Sequence, residues 1–271
     1  LAWTTVTVVP INDHTPELNV GIESATFVEG TGAVAIADPA GLTLTDADHN
    51  DIFMIESSTV TLVSTAGEAA EEFLILADAQ GLVTSYDTVT NTLSITGSQP
   101  VAVYEAALRT LEYENRAEEP TPGSRTVAVA VFDGIQTSDE QTVVVVVNVV
   151  NDRTPELVLD SESAGSYNTE FTEEGAAVSI VGQLSLTDAD SGGLLIGSAT
   201  VVITNGMDGD DEQLSAEADA EIEVTYDATT YTLVLTGPAT PAQFEAALQS
   251  VTYINTADEP SGAVVQAIGN D

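Results

Sequence analysis

The sequence predicts an all-β protein built from two tandem Greek-key β-sandwiches, each with one short helix. Three observations lead there. Short runs of Val, Ile, Leu and Thr alternate with polar residues and are cut by Gly, Pro, Asn and Asp turns. A second set of these runs repeats the first at a near-constant distance. One segment in each repeat changes to an apolar spacing of three to four residues, which marks a helix.

The repeat is anchored by a short string. Pro10-Ile11-Asn12-Asp13-His14-Thr15-Pro16-Glu17-Leu18 has a near copy in Val149-Val150-Asn151-Asp152-Arg153-Thr154-Pro155-Glu156-Leu157, 139 residues further on. Leu42-Thr43-Leu44-Thr45-Asp46-Ala47-Asp48 returns as Leu184-Ser185-Leu186-Thr187-Asp188-Ala189-Asp190. The longest match sets Tyr104 to Asn115 against Phe244 to Asn255. The domains are therefore placed at 12–150 and 151–271. Residues 1–11 read as the last strand of a preceding repeat, because 3–10 match the strand Thr142 to Val150.

Within repeat one, Leu18 to Glu29 is expected as a broken first strand and Val34 to Thr45 as a second. Asp46 to Asp51 is a turn rich in oxygen ligands. Ser58 to Ser64 is a third strand, and Thr65 to Glu72 an acidic loop. Leu82 to Tyr86 and Thr92 to Thr96 form a hairpin over the turn Asp87 to Asn91. Val103, Ala107, Leu108 and Leu111 place a short helix after Pro100. Strands follow at Leu111 to Tyr113, Thr126 to Phe132 and Gln141 to Val150, with Asp133-Gly134 as a turn. The run Val143 to Val147 predicts burial on both faces, or a strand shared between sheet core and helix cover. Repeat two follows the same plan, with a solvated acidic loop at 205–217. Its strand Ala263 to Ile268 is followed by Gly269-Asn270-Asp271, and the last strand of the repeat is missing.

The chain of 271 residues carries 44 acidic and only 4 basic side chains, a formal net charge of -40, yet is 43% hydrophobic. That apolar content separates it from acidic disordered chains. Self-repulsion on this scale destabilises a compact state, and bound hard cations with carboxylate ligands offset it. Halophilic adaptation gives the same balance. Nucleic-acid binding is excluded for want of basic side chains. There is no cysteine, hence no disulfide and no thiolate site. No apolar run is long enough for a membrane-spanning helix.

The string around Asn151-Asp152-Arg153-Thr154-Pro155 resembles the Asp-x-Asn-Asp-x-x-Pro linker of cadherin repeats. The whole unit resembles the longer cadherin-like repeats of very large surface proteins. The carrying motifs are the strand Ile95 to Gly97, the helix Tyr104 to Leu108, the strand Tyr113 to Asn115 and the turn Val131 to Gly134. The resemblance implies Ig/cadherin-like sandwiches with Ca2+ between consecutive domains. Carried over by position, it implies Glu29, Glu114 or Asn115, Asn151, Asp152, Asp188 and Asp190 at the central junction, with Asp271. At the upstream junction it implies Asn12, Asp13, Asp46, Asp48 and Asp133. The Asp-Arg-Glu motif of cadherins is absent, and Ile254-Asn255 stands where the first repeat has Glu114-Asn115, so the sites differ in strength.

No other constellation carries chemistry. His14 and His49 read as surface residues, and the one tryptophan, Trp3, leaves no sugar-stacking groove. Phe27, Tyr113, Phe132, Phe171, Tyr226 and Tyr253 fit core positions. The leading function is a calcium-stiffened structural segment of an extracellular adhesin, matrix or appendage protein, at the cell surface and without enzymatic activity. Its partners are adjacent repeats, or identical subunits joined head to tail by strand complementation. The alternative is a module that recognises a glycan or protein, which an exposed aromatic patch on one repeat alone would favour.

Overall fold

The computed structural model describes residues 3–48, 54–64, 70–162, 167–190, 193–262 and 264–270. The chain divides into two compact units, Leu1–Val150 and Asn151–Asp271. Each is almost wholly β, with one α-helix.

The first unit contains β1 (Glu17–Asn19), β2 (Ser24–Val28), β3 (Val34–Ala35), β4 (Thr43–Thr45), β5 (Ile55–Ser64), β6 (Glu72–Leu76), β7 (Val83–Asp87), β8 (Thr92–Gln99), α1 (Val101–Leu108), β9 (Leu111–Asn115), β10 (Gly123–Phe132) and β11 (Gln141–Asn148). One sheet runs β2-β11-β10-β5-β8-β7, a second β3-β9-β6, and β1 pairs with β4 alone. The ladders are antiparallel except for β2 against β11, which is parallel. Phe27, Val60, Leu74, Tyr104, Leu108, Tyr113, Val129 and Val145, drawn from both larger sheets and the helix, belong to one buried core.

The second unit contains β12 (Glu156–Val158), β13 (Val178–Ser179), β14 (Ser185–Thr187), β15 (Ile196–Ile203), β16 (Glu212–Ser215), β17 (Glu223–Asp227), β18 (Thr232–Ala239), α2 (Pro241–Gln249), β19 (Thr252–Asn255) and β20 (Val265–Asn270). Its sheets are β17-β18-β15-β20, β13-β19-β16 and β12-β14. Leu186, Val201, Leu214, Leu235, Phe244, Leu248 and Tyr253 lie in its core.

Local chemistry explains the hairpins and helices. Asp87 Oδ1 accepts from the backbone N–H groups of Val89 and Thr90, and Asn91 closes the turn at φ 51°. Asp227 repeats the device toward Thr229. Helix α1 buries Val101, Tyr104, Ala107 and Leu108, one stripe of its surface.

The structure departs from the sequence reading in several places. Residues 3–10 form no strand among the described residues, and Trp3, Val6, Val8 and Val9 are exposed. A strand is held by a neighbour's N–H and C=O groups, and none of the described residues pairs with this segment. Glu72 does not end the acidic loop; it opens β6 and is fully buried. Residues 205–217 likewise contain a 3-10 turn at Gly209–Asp211 and the strand β16, with Glu212 fully buried. In β11 only Val143, Val145 and Val147 are buried, so the all-valine run has one covered face. The strand expected over Val34 to Thr45 is split into β3 and β4. His49, Asn50, Asp51, the stretch 65–69, Ala263 and Asp271 lie outside the described residues.

Candidate metal centre

At the upstream set the second carboxylate of the Asp-x-Asp string holds the linker. Asp48 Oδ2 accepts from the backbone N–H of Asp13 at 2.8 Å and from that of His14. Its Oδ1 meets His14 Nδ1 at 2.8 Å. The first carboxylate folds the loop onto itself, Asp46 Oδ1 accepting from Asp48 N–H at 2.9 Å. Ligand atoms of Asp13, His14 and Asp48 lie within 4.8 Å of one another. Asn12 Nδ2 donates to the carbonyl of Asp133 at 3.4 Å. Asp133 Oδ1 closes the β10–β11 turn by accepting from the N–H groups of Ile135 and Gln136. All five expected upstream residues thus belong to the first unit, where hydrogen bonds join Asn12 to Asp133, and Asp13 and Asp46 to Asp48.

Two buried oxygens here have no hydrogen-bond partner, Asn12 Oδ1 and Asp133 Oδ2. Asp133 is 4% exposed. An unpaired buried oxygen costs about 1–3 kcal/mol, and a hard cation removes that cost. The oxygens of Asn12, Asp13, Asp46, Asp48 and Asp133 are the donor type that calcium takes, so the residues fit that ion.

Charge is already engaged at this end of the unit. The Asp48 hydrogen bond and charge raise the His14 imidazole pKa above its ordinary value, against desolvation, which lowers it. Burial opposes ionisation of Asp48, but the N–H groups of His14 and Asp13 and the His14 ring outweigh it, and its carboxyl lies below the usual range.

The expected central set divides between the units. Glu29 and Asn115 lie in the first. The Phe27 ring meets the Tyr113 ring edge-on at 5.6 Å, and Glu29 and Asn115 each follow two residues later. Glu29 Oε2 accepts from the backbone N–H of Val150 at 2.8 Å, and its Oε1 is buried without a partner. Glu114 instead pairs with Arg116 at 2.6 Å. In the second unit Asp190 repeats the role of Asp48, accepting from the N–H groups of Asp152 at 3.3 Å and Arg153 at 3.2 Å. Asp188 Oδ1 accepts from Asp190 N–H at 3.2 Å, as Asp46 does from Asp48. Asn151 and Asp152 are exposed.

Sequence reading missed a second class of buried acid. Glu72 Oε1 accepts from Arg125 Nε at 2.5 Å and from the Tyr113 hydroxyl at 2.6 Å. Glu212 accepts instead from the N–H groups of Met207 and Asp208, at 2.7 and 3.1 Å, and from the Tyr253 hydroxyl at 3.1 Å. Desolvation and the neighbouring Glu72 push the Tyr113 hydroxyl pKa up. The signal was available: Glu72 and Glu212, like Tyr113 and Tyr253, share one 140-residue offset. A further concavity of about 290 Å³ in the second unit is lined by Glu173, Asn255 and Asp258 among others, where Glu173 follows Phe171 as Glu29 follows Phe27.

No protein-family model and no curated protein matches the chain. It is similar to the solved structure of protocadherin gamma B2 extracellular cadherin domains 1-5, with 15% identity and a TM-score of 0.38, over 85% of this chain and 34% of that one. It is also similar to PcdhgB3 EC1-4, with 16% identity and a TM-score of 0.37, over 97% and 50%. Mouse cadherin-23 EC22-24 matches with 19% identity and a TM-score of 0.33, over 86% and 57%. The chain spans a third to under three fifths of the length of these structures. At these values the likeness assigns neither family nor function. Among the described residues no helix is long and apolar enough to cross a membrane.

Proposed function

We propose that the chain is a calcium-stiffened structural segment of an extracellular adhesin, matrix or appendage protein, built from cadherin-like Greek-key sandwiches. The observation that carries this reading is the pair of buried, unpartnered oxygens on Asn12 and Asp133, where the linker and the β10–β11 turn meet. Asp48 fixes the linker backbone at Asp13, and Asp46 fixes the loop that carries Asp48. The same plan at Asp188, Asp190 and Asp152 supports a second site within the second unit. Bound calcium would neutralise part of the -40 charge and fix each linker. Its affinity belongs in the extracellular range, a Kd on the order of 10⁻⁴–10⁻³ M.

Calorimetry on EDTA-treated protein tests this directly. The expected result is a heat of calcium binding and a higher melting temperature, with magnesium far weaker. X-ray scattering in the same titration should show a narrower distribution of sizes. No binding heat and no change in melting temperature would overturn the reading.

A further inference from the structure

The outer face of the large sheet in the first unit is almost free of charge. Val60 of β5, Leu93 of β8, Val129 of β10 and Val145 of β11 are buried, so alternation turns the residues beside them outward. The ladders set those outward residues side by side. One row runs Thr142, Ala128, Thr61, Thr92 and Asp87 across β11, β10, β5, β8 and β7. The other outward rungs, from β2 to β7, hold only Ser, Thr, Ala, Val, Asn and Phe. Asp87, on the edge strand β7, is the single charged residue among them. The face is open to solvent: Thr59 and Thr96 are exposed, and Val83 and Val144 are 68% and 36% exposed.

This composition runs against the rest of the chain. Acidic residues are 44 of 271 and belong on exposed positions, yet none stands on the outward rungs of the four inner strands. The second unit repeats the pattern on β15 and β18, whose outward rungs are Ser198–Thr236, Thr200–Val234 and Val202–Thr232. Two molecules of charge -40 repel wherever their acids meet. This face lets them approach without bringing carboxylates together. Its side chains are mostly small and of similar height, so two such faces can stack as sheets do, about 10 Å apart. A small-ligand site is instead lined by aromatic and convergent polar groups, and the outward rungs hold one ring, Phe132 at the end of β10.

We propose that this face of the first unit packs against the same face of a second copy of the chain. The contact is isologous and closes as a two-fold pair. It uses none of the linker or Asp-x-Asp residues, so it does not depend on calcium. Six strands about 4.8 Å apart and about five residues of about 3.3 Å give a footprint on the order of 400 Å² per copy. That is the weak, transient end of interface sizes, so concentration and salt govern the assembly.

The test is sedimentation equilibrium of the 271-residue chain in EDTA at about 0.1 M and about 1 M salt, between which the screening length falls from about 10 Å to about 3 Å. The mass should rise from 28.1 kDa toward twice that value as salt and protein concentration increase. T59E/V144E places two charges on the face, and A70E/A218E places the same two on exposed loop positions. The face variant should dimerise more than ~10-fold more weakly than the loop variant, because its carboxylates would be buried without partners. The chain has no cysteine, so single cysteines report the contact without adding charge. At high salt, alkylation of T96C should slow as protein concentration rises, and that of A70C should not. A monomer at both salts, equal dimerisation of the two glutamate variants, or concentration-independent alkylation of T96C each overturns the proposal. So does a wild type that stays monomeric but is retained on cellulose more strongly than T59E/V144E, which would give the face to a neutral glycan. Because calcium is absent throughout, these results are separate from the calorimetric test.

Discussion

Arg125 donates its Nε–H to Glu72 at 2.5 Å, where the two side chains are 1% and 0% exposed. Removing one partner of such a pair strands a buried charge and costs about 3–5 kcal/mol. R125M should therefore destabilise the first unit by that amount. The double variant R125M/E72L should recover most of the loss, since an apolar replacement of the whole pair is often neutral. Native-state hydrogen exchange at the Tyr113 and Val127 amides reads the first unit alone. A single-variant loss near zero would show that the pair contributes nothing.

D133N keeps the oxygen that closes the β10–β11 turn but removes the charge beside Asn12. At calcium concentrations a hundredfold above Kd, binding adds about 2.7 kcal/mol of stability. A tenfold weaker site loses about half of that. D133N should show this loss in calcium-dependent melting while its calcium-free melting stays near wild type. H14Q should lower calcium-free stability slightly and leave Asp133 ligation intact.

The linkers and the Asp-x-Asp turns were legible because they occur twice at nearly the same offset and are made of residues with few other uses at a turn. The sequence did not show how the two aspartates divide their work. Asp46 and Asp48 look alike in the string, but one bonds its own loop and the other caps two linker N–H groups. Strands β6 and β16 were hidden because each opens on a glutamate, which alternation assigns to solvent. Only the tertiary partners, Arg125 for Glu72 and backbone N–H groups for Glu212, reveal those acids as buried. The valines of β11 misled in the opposite direction: β-branched residues suit a half-covered strand, and only packing shows that Val144 has no layer over it. Residues 3–9 have the pattern of a strand but pair with none of the described residues.

Buried tyrosines predict an alkaline limit to stability. Desolvation, helped by Glu212 and opposed by Asn255, raises the Tyr253 hydroxyl pKa from 10.0 to about 12. Desolvation, with Glu56 nearby, does the same for Tyr104. A folded-state value above the unfolded one means that the native state binds more protons in this window. The stabilisation is whole below pH 10 and is lost as pH rises toward about 12. Absorbance at 295 nm should show these tyrosines ionising only as the chain unfolds. Y253F should flatten the slope of stability against pH; an unchanged slope would remove Tyr253 from the explanation.

The two helices differ at their first turn, and that difference is measurable. Thr240 caps α2: its Oγ1 accepts from Gln243 N–H at 3.3 Å, and Gln243 Oε1 accepts from Thr240 N–H at 3.0 Å. In α1 the N-cap is Pro100, which makes no side-chain cap, and Val103 stands where Gln243 closes the box. T240A should destabilise the second unit by about 1 kcal/mol, and T240S should restore most of it. Helix α2 carries Phe244 and Leu248 into the core, so fraying at its start is transmitted to the packing of the unit. Urea unfolding should show a lower midpoint with an unchanged slope. A change within about 0.5 kcal/mol, the size of a neutral surface substitution, would mean that core packing alone holds the helix.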